Sequence, residues 1–257
     1  MLPATLLLGV VAAPAEGWNE TAHRAIARVA QERLSPAAER RHRFLMGVGA
    51  KIEDVAYWAD EIIAERPETE AWHSITIPPV ATELNLDRDC PVGDCSTVKV
   101  REYLGIVRLA FKDKEKLVEA FKFLVNLAAD MHQPLNAGFP PGSGGDVVQV
   151  VFGDRHMRLR DLWDGEIFET DDPEELAMRV RELITPDRVR EWTRGSIRDW
   201  TWDTHLTANR VAYGGLPEGE IKRLDGQYLT HARAAAELQL AKAAVRLAEL
   251  LNRAWLQ

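Results

Sequence analysis

Positive charge is in deficit in this sequence. Its 32 Lys and Arg stand against 40 Asp and Glu, a net charge of −8 with a pI near 5.5. That excludes a protein that grips polyanions through a generally basic surface, so a bound phosphate needs a local positive source such as a metal or an isolated Arg. Cysteine is nearly absent. The two present, Cys90 and Cys95, are too few for a zinc knuckle without two more Cys or His close by. With 17 Gly, 13 Pro and 46% hydrophobic residues, the chain is neither low-complexity nor disordered. Internal repeats and long Ser- or Pro-rich linkers are missing. So is any apolar run that could span a bilayer, since Leu2 to Ala13 is too short to cross one.

What is present fits one domain, possibly two, in 257 residues. The apolar run ends at Pro14-Ala15-Glu16-Gly17 and reads as the apolar part of a secretion signal, although no Lys or Arg precedes it. The competing reading is a buried N-terminal helix. A cut after Gly17 would make Trp18 the new N-terminus and leave residues 18–257 as the folded domain. Cys90 and Cys95 lie in DRDCPVGDCS, which closes a small disulfide loop if the chain is exported and holds two free thiols if it is not.

The patterning is mostly helical. Helices are expected over Trp18–Leu34, Ile52–Glu65, Val98–Ala110 and Lys114–Met131, with stops near Pro67 and Pro134. Val147–Phe152, Gly153-Asp154 and Arg155–Leu159 predict a small hairpin. Helical patterning resumes at Asp161 and closes with Asp225–Trp255. The segment GFPPGSGG, 138–145, reads as a flexible loop. The expected fold is all-α, a single-domain bundle with one small β-hairpin.

Groups able to bind a metal recur along the chain: Trp18 and His23, Asp60, His73, Asn126 with Asp130, His132 and Asn136, and Arg160 with Asp164. Singly each has an ordinary explanation. A His near a Trp is usually a satisfied core residue, and an i, i+4 Arg–Asp pair is usually a salt bridge.

Order and spacing together carry more. The stretches WNETAH, YWADEI, RPETEAWHSITIP, DCPVGDC, FLVNLAADMHQPLN, LWD, WTWDTHLTANRVAYGGLP and QLAKAAVRLAELLN resemble the zinc-dependent S1/P1 nuclease family, a relative of the bacterial zinc phospholipases C. The resemblance covers residues 18 to 257. It implies an all-helical domain with three zinc ions in a cleft. One zinc would be held by the free amine and carbonyl of Trp18, by His23 and by Asp130. A second would share Asp130 and add Asp60, His73 and the residue at 126, where the family has His and this chain has Asn126. The third would need His at 136 and 160 beside Asp164, and here those positions hold Asn136 and Arg160.

Asn can offer an amide oxygen, so the second site is weakened but not lost. The third site loses two of its three ligands, one to a fixed cation, and no metal is expected there. Arg160 is expected to pair with Asp164 instead. The phosphate-contacting Arg or Lys of the family is Ile63 here, and the base-reading positions after His73 are Ser74 and Thr76. A lost stacking platform costs about 1–3 kcal/mol per base.

The expectation is therefore a zinc-dependent phosphoesterase or endonuclease of reduced activity, acting on single-stranded nucleic acid or nucleotides. It would carry one or two zinc ions, with Asp60 and Arg160 catalytic and His132 supporting a ligand or carbonyl. It would be a periplasmic or secreted monomer without stable membrane association. Two alternatives stand: a non-catalytic relative that binds a phosphorylated ligand, and a phospholipase C-like phosphodiesterase. His205 is given no ligand role, and His42, His156 and His231 are read as surface or packing residues.

Overall fold

Polar caps and prolines set the helix starts. The computed structural model describes residues 17–109, 113–138, 145 and 147–256. Asn19 accepts the Ala22 amide at 3.0 Å and opens α1 (Glu20–Gln31). Ser35, followed by Pro36, opens α2 (Pro36–Met46). Each cap satisfies an amide that the first helical turn leaves without a partner. Two short helices follow, α3 (Trp58–Glu61) and α4 (Leu86–Asp89), then the longer α5 (Ser96–Leu109). Asp113 accepts the Lys116 amide at 3.1 Å and starts α6 (Lys114–Asp130).

The strands β1 (Gln149–Phe152) and β2 (Arg155–Arg158) form the expected antiparallel hairpin. Next come α7 (Leu159–Asp164), α8 (Pro173–Glu182), α9 (Pro186–Trp192) and α10 (Ile197–Thr207), the last extended by a π-helical turn over Ala208–Tyr213. A two-residue strand, β3 (Lys222–Arg223), pairs parallel to β1, an addition to the hairpin that no alternation over two residues could signal. The chain then runs through α11 (Gly226–Ala254). Most of the segment 138–145, expected as a loop, lies outside the described residues.

The core sits where α1, α6 and α11 meet. Helix α1 packs on α11 and α8, and α5 lies along α6. Ala22, Ala25 and Ala30 of α1, with Ala232, Ala236 and Ala243 of α11, are fully buried small residues that let the two backbones approach closely. The expectation of a helical bundle with a small β element is met. One expected helix is not continuous. Residues 52–65 fold as a 3-10 turn, Ile52–Val55, followed by the four-residue α3. The break frees the Ala56 carbonyl, which accepts the Asn126 side-chain amide at 3.0 Å instead of a helical N–H. This turn brings Asp60 against α6. Among the described residues no helix is long and apolar enough to cross a membrane.

Candidate metal centre

The last two turns of α6 are buried on every side, from Phe123 through Asp130. A carboxylate at that depth needs compensation, and Asp130 is surrounded by it. Its Oδ1 faces the Trp18 backbone nitrogen at 3.3 Å and His23 Nε2 at 3.1 Å. Its Oδ2 faces His73 Nδ1 at 2.7 Å. The two oxygens thus look toward two different groups, the arrangement a bridging carboxylate requires. Asp60 closes the set, with Oδ2 3.7 Å from His23 Nε2 and Oδ1 3.8 Å from His73 Nδ1.

Ligand atoms of His23, Asp60 and Asp130 all lie within 4.8 Å of one another, close enough for a single ion to touch all three. The cluster comes from α1, α3 and α6 and from the 3-10 segment Pro67–His73, so four distant stretches of sequence converge on it. Gly17 sits directly against Asp130: a Cβ there would fall 2.2 Å from Oδ1.

Hydrogen bonding within the protein leaves this cluster incomplete. His23 Nδ1, Asp60 Oδ1 and Asn126 Oδ1 are buried with no hydrogen-bond partner among the described residues. Buried polar atoms are normally satisfied, so several orphans around one point leave room for an ion or a water that would pair with them. Burial, with Asp130 beside it, pushes the Asp60 carboxyl up to about 6. Burial would also raise Asp130, but His23 and His73 hold it below the ordinary carboxylate range. Burial works to lower the His23 imidazole, yet the charge of Asp130 leaves it above its usual value. Two like charges this close favour a shared proton or a shared metal. The donor set of nitrogen and carboxylate oxygen suits zinc.

At position 126, the Asn amide nitrogen donates to Asp60 Oδ2 and to the Ala56 carbonyl. The third triplet of residues does come together, but around a guanidinium. Arg160 donates to Asn136 Oδ1 at 2.9 Å and lies 3.8 Å from Asp164 Oδ1. Asn136 in turn donates to the His73 carbonyl at 3.2 Å. A side-chain cation fills the place, and these residues do not fit a metal. The expected Arg160–Asp164 pairing is present, although the contact to Asn136 is shorter.

Cys90 and Cys95 form the disulfide, with Cα atoms 6.0 Å apart. Just past it, the Ser96 amide donates to the Ser74 carbonyl at 3.0 Å, and the Ile75 amide donates to the Asn136 carbonyl at 2.7 Å. The irregular segment after His73 is thus fixed between the disulfide loop and Asn136. Ser74 and Thr76 line a hollow of about 450 Å³ whose walls include Pro67, Cys90 and Pro91 and no aromatic side chain.

His132 Nδ1 lies 2.8 Å from the Ala128 carbonyl and Nε2 lies 3.1 Å from Arg246. Burial and the charge of Arg246 push its imidazole down to about 3, so it is neutral. It supports a carbonyl rather than a metal ligand. His205 reaches the Ala137 carbonyl at 2.7 Å and His42 stacks near Phe121, both as packing residues. His156 and His231 are exposed.

Three contributors carried no signal of their own in the sequence. Gln133 donates to Asp164 and accepts the Leu135 amide, Tyr57 packs its ring 5.5 Å from that of His23, and Arg246 joins His132 to Asp203. Gln133 stands in the HQPL stretch, but its part depends on a partner 31 residues away.

The family model described as S1/P1 nuclease matches residues 18–255. Similar proteins include Endonuclease 2 of Arabidopsis thaliana, 26% identical over 98% of this chain and 96% of that protein. Nuclease S1 of Aspergillus oryzae is 26% identical, again over 98% of this chain and 96% of its own length. Nuclease P1 of Penicillium citrinum is 29% identical over 57% of each chain.

Proposed function

Because the chain belongs to the S1/P1 nuclease family, we propose that it is a zinc-dependent nuclease and phosphodiesterase of single-stranded nucleic acid or nucleotides, with lowered activity. The observation that carries the reading is the convergence of His23, Asp60 and Asp130, with buried polar atoms that no group among the described residues satisfies. The relatives' names, two fungal nucleases and a plant endonuclease, support a phosphodiester bond as the target.

Trp18, His23 and Asp130 would hold one ion. Asp130, Asp60 and His73 would hold a second, with Asn126 Oδ1 as the weak fourth group. Removal of residues 1–17 would free the Trp18 amine and take Gly17 off Asp130, which is why export to the periplasm or medium belongs to this reading. The third ion of the resemblance is absent from it, because Arg160 fills that place.

Zinc, when bound, supplies a Lewis acid that brings the pKa of water to roughly 7 and offsets charge at phosphorus. The chain's residues do the rest. Asp60 would orient the attacking water, whose proton passes to solvent. Attack is in line, and the phosphorus–oxygen bond opposite the water breaks. Arg160 sets a fixed positive charge beside the reacting phosphate, as a weaker substitute for a metal. The hollow beside Ser74 and Thr76 has no stacking ring, so base preference is weak. That same hollow is the observation favouring a phospholipase C-like phosphodiester as the second substrate class.

The test compares turnover of single-stranded DNA, RNA and 3′-nucleotides with that of a phosphatidylcholine, using monomeric protein that begins at Trp18. Zinc-dependent cleavage of the nucleic acids supports the reading. Turnover of the lipid alone favours the second class, and zinc-independent or absent turnover of all four substrates overturns both.

A further inference from the structure

In an acidic chain, arginines are expected to find carboxylates, and Arg24, Arg28, Arg66, Arg181 and Arg233 all do. One hollow departs from this. A cavity of about 440 Å³ opens where α5, the start of α10 and the last turn of α11 meet. Four arginines line it, Arg101, Arg108, Arg198 and Arg253, and no carboxylate does. Arg101 and Arg108 are exposed and have no ion-pair partner among the described residues. Arg198 donates to the Leu84 carbonyl at 3.0 Å, and its charge, behind the Ser196 hydrogen bonds, also helps hold the adjacent Asp199 carboxyl below its ordinary range. Arg253 is neutralised by Glu249 at 2.5 Å. Between them lies an apolar floor of Leu104, Ile197 and Leu250.

Two arginines without a carboxylate partner, Arg101 and Arg108, flank this concavity, and an anion entering it relieves their mutual repulsion. The volume falls in the range of small-ligand sites, about 300–1,000 Å³. Guanidinium groups fork onto phosphate oxygens and also lie flat on planar rings. The floor takes an apolar body that a bare inorganic anion lacks.

We infer that this hollow binds a phosphate monoester attached to a planar ring, of the size of a nucleoside monophosphate. The site shares no residue with the metal centre and does not rest on the hydrolase reading. A chain that cleaves nothing would still bind here.

The experiment is calorimetric titration of the purified protein with 5′-AMP, adenosine and inorganic phosphate, repeated on Arg101→Glu/Arg108→Glu and on Arg101→Gln/Arg108→Gln. Thermal melting and zinc content of each variant verify that fold and metal centre are intact. The expected result is one saturable AMP event that weakens with added salt and is at least about tenfold weaker in the charge-reversed variant, the scale of losing one charge-assisted contact. Adenosine and phosphate each bind more weakly than AMP. The inference is overturned if AMP binds equally well to the wild type and both folded variants. It is equally overturned if no saturable event occurs, or if adenosine or phosphate alone binds as tightly as AMP.

Discussion

At the scale of single residues, the proposed function rests on Asp130 and Asp60, and each would act through what surrounds it. Asp130 faces Trp18 and His23 with one oxygen and His73 with the other. Asp60 is held in place by the Asn126 amide. Replacing Asp60 with Asn keeps the shape and removes an anionic group that would hold zinc and orient the water, and should lower turnover of single-stranded DNA by about a hundredfold or more. Steady-state rates on protein of confirmed fold check this; unchanged kcat would remove Asp60 from the mechanism. The triple change Asn126→His, Asn136→His, Arg160→His should raise both zinc content and rate, because it replaces a guanidinium and two amides with imidazoles. Zinc content that stays put would mean those positions are wrongly matched to ligands.

These residues were legible in the sequence because each falls in a stretch of recognisable order. What was not legible is how Asn126 divides itself. Its nitrogen holds Asp60 and the Ala56 carbonyl, and its oxygen is left buried without a partner. That depends on a turn 70 residues away.

Among the elements, α6 is the strut of the site. It starts at the solvent-exposed cap Asp113 and ends, fully buried, at Asp130. Asp113→Ala should cost about 1 kcal/mol through the lost cap, lowering the melting temperature by about 2–4 °C. Zinc content should not change, since the cap lies at the opposite end of the helix from the ligand; metal loss in this variant would show that the strut is not rigid. Helix periodicity gave α1, α5, α6 and α11 nearly to their ends, because each holds a helical apolar pattern over at least three turns. It failed over 52–65, where a tertiary contact takes a carbonyl that a helix would have used. It could not give β3, two residues whose only reason to be extended is their pairing with β1.

The pairing of α1 with α8 adds a pH dependence. Arg28 bridges Glu53 and Glu174, and Arg181 bridges Glu32 and Glu174. The Arg181 hydrogen bond, with Arg28 behind it, pulls the Glu174 carboxyl from its ordinary 4.5 down to about 2. A depressed carboxylate stabilises the fold above its unfolded pKa and loses that contribution as the pH falls through its folded one. Wild type should therefore melt above Glu174→Gln at pH 7, with the gap narrowing below about pH 4.5 and closing near pH 2. Calorimetric melts at three pH values test the sign, and a gap that widens in acid would refute the linkage. The effect is small, because the Glu174 side chain is about half in solvent.

For the whole molecule, the metal centre and the fold are one object. Four stretches of chain meet at Asp130, and without a cation they bury two adjacent carboxylates. Zinc bound at a thousand times its dissociation constant contributes about 4 kcal/mol. Chelation should then lower the melting temperature by about 8–16 °C, and added zinc should restore it. Acidity overall, with its positive charge gathered at a few places, fits an enzyme that meets phosphate through metal and isolated arginines rather than through a broad basic face. The most direct measurement is the zinc content of protein beginning at Trp18, by elemental analysis, alongside that of Asp60→Asn and Asp130→Asn. One or two ions per chain in the wild type, and fewer in both variants, is the predicted result. No zinc above background, or three ions per chain, would contradict it.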